Sequence, residues 1–251
     1  MAKLSQLSLK SNKCGGSLSS ELGKLTSLTG LWIYSNQFTG TIPSELGLLT
    51  SLNDFEMNDN KFSRKVPSTL GKLEDLTKCY LHINQLTGPI PSDLGQLVAL
   101  TELTLGDNSF SGSLPTEIGG LTSLTGLWVY SNQFTGTIPS ELELLTSLND
   151  LDMHSNKFSG NVSSALGKLE DLTILYLGQN EFTGNMPSKL GSLTSLTKLE
   201  VNNKKFSGSI PTELGQMVNS PYRTWKFDSA DYMPTTCLLA QFLLSLDNWW
   251  R

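Results

Sequence analysis

Cysteine, histidine and long apolar runs are all scarce in this chain of 251 residues, which holds three cysteines and two histidines. Three is an odd number, and no spacing among Cys14, Cys79 and Cys237 suggests a disulfide framework or a zinc site. No apolar stretch approaches the ~20 residues that would cross a bilayer, since the best, Cys237 to Leu246, is about half that and is broken by Gln241. The start, Met1 to Leu7, has no apolar run long enough for a signal peptide. As written, the chain reads as soluble. A surplus of positive charge is missing too: the net charge of -5 gives no electrostatic reason to expect nucleic acid or an anionic membrane as partner. There is no plausible pairing of nucleophile with base and no phosphate-cradling glycine loop. No catalytic residue, cofactor or metal is expected.

What the chain does have is a period. Asn12, Asn36, Asn60, Asn84, Asn108, Asn132, Asn156 and Asn180 follow one another at intervals of 24, and Lys204 stands where the next asparagine belongs. Around each, inward leucines such as Leu28, Leu31 and Ile33 alternate with polar or aromatic residues, the period of two that marks a half-buried strand. Long return segments between units require these strands to be parallel, giving about nine strands in one sheet. The asparagine side chain can bond backbone groups of its own turn and of its neighbour's, making a ladder. A column of Phe38, Phe62, Leu86, Phe110, Phe134, Phe158, Phe182 and Phe206 then forms an aromatic spine, and glycines such as Gly40 and Gly88 mark a tight bend. A short helical turn after Pro43 ends at Gly47. Cys14 falls in the Phe38 column and Cys79 in the Leu31 column, so both are expected to be buried, reduced and small.

These residues carry a resemblance to the plant-type leucine-rich repeat, LxxLxxLxLxxNxFxGxIPxxLGxL, matched by Leu28, Leu31, Ile33, Asn36, Phe38, Gly40, Ile42, Pro43, Leu46, Gly47 and Leu49. The resemblance implies an α/β solenoid, a right-handed superhelix or horseshoe with a parallel β-sheet on its concave face and short helical turns on its convex face. Such solenoids occur in ectodomains of receptor-like kinases, in receptor-like proteins and in polygalacturonase inhibitors. The pattern spans residues 1–217 as about nine repeats, leaving 218–251 as an aromatic cap or a truncated tail. The capping cysteine pairs are missing, and Arg64, Ser163 and Glu143 replace a glycine, a proline and a glycine. Residues 26–121 align with 122–217 at an offset of 96, roughly two thirds of positions being identical, so a block of four repeats has been duplicated.

With the leucines inward, two outward columns cross the sheet. Their candidate ligand-binding residues are Trp32, Tyr34, Glu56, Tyr80, His82, Trp128, Tyr130, Asp152, His154 and Tyr176. Large aromatics on a solvated sheet face are enriched at binding hot spots, though cross-strand packing would also account for them. The same face carries an excess of carboxylates, which suits a cationic peptide or protein, or a glycan stacking on rings. His82 and His154 lie three repeats apart, about 14 Å, too far to share a metal ion. Asn161-Val162-Ser163 is an N-glycosylation sequon. The sequence therefore points to a noncatalytic recognition module, by resemblance the repeat region of a cell-surface receptor-like protein. An intracellular scaffold complete as written is the alternative, and a secreted enzyme inhibitor a lesser one.

Overall fold

The computed structural model describes residues 4–202, 205–207, 209–218 and 224–226. Lys204 and nearly all of 218–251, including the segment read as a cap or tail, lie outside the described residues.

Each repeat places one apolar side chain at the centre of a three-residue strand. Leu31, Phe55, Leu103, Leu127 and Leu151 are fully buried there, and their flanking neighbours face outward. The strands stack into one parallel sheet running from Gln6–Ser8 through Gly30–Trp32, Asp54–Glu56, Lys78–Tyr80, Glu102–Thr104, Gly126–Trp128, Asp150–Asp152, Ile174–Tyr176 and Lys198–Glu200 to Thr224–Lys226. Equivalent residues face one another, Leu31 opposite Phe55 and Leu127 opposite Leu151, so the pairing offset equals the repeat. Short 3-10 turns such as Ser44–Leu48 and Ser68–Lys72 stack on the far side. Their glycines permit close approach: a β-carbon on Gly47 would lie 2.3 Å from the Thr69 carbonyl oxygen. Glu143 stands in this column without glycine's freedom and reaches Lys168 at 3.0 Å. The solenoid expected from the repeat is the observed fold.

Between each asparagine and the bend expected at its glycine, the chain forms a second strand that the sequence pattern does not reveal. Gly15–Ser17, Gln37–Gly40, Lys61–Arg64, Gln85–Gly88, Ser109–Gly112, Gln133–Gly136, Lys157–Asn161 and Glu181–Thr183 build an eight-stranded parallel sheet along one side. Its register is staggered: Thr39 faces Lys61 and Ser111 faces Gln133, an offset of 22 positions. Apart from Gly15–Ser17, which is exposed throughout, each strand buries a single residue, a phenylalanine or Leu86, too little for a period of two to show in sequence. The glycine that ends Gln37–Gly40 has positive φ, +80°, and so do its equivalents at or beside the ends of the other strands, from Gly16 to Gly184. Arg64 holds that conformation at φ +74° with a side chain attached. Arg64→Gly is therefore expected to raise stability by about 0.5 to 1 kcal/mol, read as a higher urea midpoint at unchanged slope. An unchanged or lower midpoint would show that the arginine side chain offsets the strain.

The asparagines tie one repeat to the one before. Asn132 donates to the carbonyls of Leu105, Val129 and Tyr130 and accepts from the Phe110 amide at 2.9 Å. Asn36, Asn60, Asn84, Asn108, Asn156 and Asn180 make the same four contacts. Asn12 reaches only Leu9 and Lys10 of its own turn. Beneath the ladder, Phe110, Phe134, Phe158, Phe182 and Phe206 stack with centroids 5.8 to 6.4 Å apart. Cys79 is buried, and burial pushes its thiol up to about 12, leaving it inert. Cys14, by contrast, is only half-buried, at the first described position of the aromatic column.

Candidate functional site

The candidate residues all lie on the outward side of the ten-stranded sheet, and none is fully exposed. Trp32 and Trp128 owe their position to a glycine two residues earlier on the same strand. A β-carbon on Gly30 would sit 2.3 Å from the Trp32 ring, and one on Gly126 1.9 Å from that of Trp128, so each indole lies down along its own strand. Tyr130 covers Gly106 of the preceding repeat in the same way. Its ring also stacks on His154, 5.3 Å between centroids at 5°. The Lys10 ammonium stands 5.8 Å from the Tyr34 ring centre. Part of the aromatic surface legible in sequence is therefore used within the protein.

The carboxylates form a connected field. Tyr80 donates to Glu102, and burial, with Glu102 beside it, raises its phenol. Burial raises Glu56, helped by neighbouring Asp54. Asp150 is raised by burial, although it accepts a hydrogen bond from the Trp128 side chain. Asp152 is buried at 7% exposure and meets His154 Nδ1 at 2.5 Å, and burial still outweighs the histidine and raises it. His82 Nδ1 lies 2.7 Å from the Thr104 hydroxyl, and burial lowers its affinity for a proton. Tyr176 is also raised, first by burial and then by Glu200. Asp54 and Asp150 each keep one carboxylate oxygen buried without a hydrogen-bond donor. Such a charge is poorly neutralised from within, so a nearby cation gains more from it than from a solvated carboxylate.

Among the described residues no group of three or more His, Cys, Asp or Glu is placed to hold a metal ion, and no helix is long and apolar enough to cross a membrane. Asn161 is exposed at the end of its lateral strand, with its side chain over Gly184. Ile83 escaped the sequence reading. It is 45% exposed at φ +53°, a conformation held at equivalent positions by Ser35, Asp59, Asp107 and Ser131. A β-branched side chain is uncommon there, and only its departure from that polar column could have flagged it.

The Leucine Rich Repeat family profile matches residues 27–49, 99–121, 123–145 and 147–169. None of the curated proteins compared with the chain matches it. Among solved structures, the chain is similar to the ectodomain of the membrane receptor kinase GASSHO1/SCHENGEN3 from Arabidopsis thaliana in complex with CASPARIAN STRIP INTEGRITY FACTOR 2. That match has 34% identity and TM-score 0.83, over 89% of this chain and 26% of that one. The Arabidopsis receptor kinase HAESA, in complex with the peptide hormone IDA and the co-receptor SERK1, aligns at 33% identity and TM-score 0.78, over 82% and 35%. The plant peptide hormone receptor RGFR1 in complex with RGF2 aligns at 30% and 0.81, over 90% and 40%. The chain thus spans 26% to 40% of these relatives' lengths. The chain contains leucine-rich repeats and folds as the corresponding solenoid, and its structural neighbours are ectodomains of plant receptor kinases.

Proposed function

We propose that this chain is the ligand-recognition region of a cell-surface receptor-like protein, noncatalytic, and that its concave sheet takes a cationic peptide. The observation that carries this is the charge of the sheet face. Asp54, Glu56, Asp59, Glu102, Asp107, Asp150, Asp152 and Glu200 stand there against Lys10, Lys78 and Lys198. A peptide ranks above a glycan because the rings of Tyr130 and Tyr34 are already engaged by His154 and Lys10, while carboxylate charge is in excess. Two of the structural neighbours are themselves described with peptide hormones or as peptide hormone receptors. On the same reading Asn161 would carry an N-glycan, visible as a mass shift on deglycosylation of the native protein.

The test is fluorescence anisotropy with two pools of labelled decapeptides, one strongly basic and one strongly acidic. The basic pool is expected to bind and to weaken steeply as salt rises from ~0.05 to ~0.5 M, because screening shortens the reach of the carboxylates. Binding should also fall in a Glu56→Gln/Asp150→Asn variant, which keeps the shape and removes charge. Equal binding of both pools, or no effect of the neutralised variant, would refute the reading.

A further inference from the structure

The four-repeat duplication copied a surface as well as a core. Trp32 and Tyr34, Asp54 and Glu56, and Tyr80 recur on three consecutive strands as Trp128 and Tyr130, Asp150 and Asp152, and Tyr176. The copies also agree in geometry. Each indole lies over a glycine of its own strand, Gly30 or Gly126, and each glycine faces an aspartate on the next strand, Asp54 or Asp150. In both copies that aspartate keeps a buried carboxylate oxygen without a donor. Core packing does not require this, since the glycines and aspartates all lie in an outward column that elsewhere accepts Lys78, Glu102, Ile174 and Lys198.

Building on the proposed function, we infer that the concave face holds two translation-related cation subsites and takes one extended peptide carrying two basic side chains about six residues apart. The spacing follows from the sheet. The subsites are four strands apart, about 19 Å at ~4.8 Å per strand, and an extended peptide covers that distance in about six residues. An even separation also turns both side chains to the same face. In each subsite an arginine or lysine would lie against the open face of the indole, beside carboxylates on the neighbouring strand. The copies are unequal. Lys78 faces Asp54 in the first, whereas Ile174 faces Asp150 in the second, with Lys198 one strand further and His154 on Asp152. The second subsite is therefore the less neutralised beside its tryptophan.

The experiment uses the full chain and capped, labelled peptides in a serine–threonine background, with one arginine or with two separated by about two, six or ten positions. The pair about six apart is expected to bind at least about tenfold tighter than the single-arginine peptide, because the second contact becomes intramolecular. The other spacings should bind near the single-arginine level. Trp32→Ala and Trp128→Ala should each bring the best peptide down to that level, and Asp150→Asn should weaken it more than Asp54→Asn. The two asparagine variants preserve side-chain volume, so their comparison stands even if a tryptophan variant folds poorly. Basic peptides that bind with no dependence on spacing would overturn the tandem subsites while leaving the concave-face reading intact. A stoichiometry of two peptides per chain for the spaced pair would overturn them equally. Failure of every basic peptide to bind would defeat both.

Discussion

Asn132→Ala is expected to cost about 3 to 5 kcal/mol, among the largest losses available to one substitution in this chain. The asparagine is 9% exposed and serves four backbone partners at once, three carbonyls and one amide. Alanine leaves these groups unpaired in a place that water reaches poorly, and each orphaned buried group costs about 1 to 3 kcal/mol before the site relaxes. Asn12→Ala is the internal control. Asn12 is exposed and bonds only within its own turn, so its loss should stay under about 0.5 kcal/mol. Urea titration followed by circular dichroism separates the two. Because stability in a repeat array is a sum of units and nearest-neighbour interfaces, Asn132→Ala should also broaden the transition or split it. Equal midpoints for the two variants would sink the account of the ladder.

Phe134→Ala should cost a comparable ~3 to 5 kcal/mol, for a different reason. The ring is fully buried between Phe110 and Phe158, at 5.9 and 5.8 Å, so truncation opens a cavity with walls held on both sides by neighbouring repeats. Phe134→Leu should cost only about 1 kcal/mol. Leu86 already occupies this column and is fully buried there. Thermal unfolding of the pair gives the comparison. If leucine proves as damaging as alanine, ring stacking matters more than filled volume.

Most of the fold was legible because the period repeats its own signal. A single Leu-Trp-Ile-Tyr stretch could be many things, but leucines recurring every 24 residues with asparagine behind them fix the strand, its inward face and its parallel neighbours. The lateral sheet was not legible, since a strand such as Gln37–Gly40 buries only Phe38 and ends on a left-handed glycine, which in sequence reads as a turn. In the candidate surface, alternation showed which residues face outward but not what they touch. That Tyr130 lies over Gly106 and against His154 depends on side-chain torsions and on a neighbour 24 residues away. Ile83 was passed over because its anomaly is one of backbone conformation.

The two walls of the solenoid are built to different lengths. On the wall formed by the ten-stranded sheet, equivalent residues sit directly opposite one another, about 4.8 Å apart. On the lateral wall the two-residue stagger adds a sideways step of about 6.6 Å to the same rise, so equivalent residues are roughly 8 Å apart. The phenylalanine rings between the walls, 5.8 to 6.4 Å apart, fall between these figures. A stack with one long wall and one short wall cannot rise straight. It must curve toward the short wall and wind as it climbs, so the arc of the molecule is set by how far one strand slips past the next.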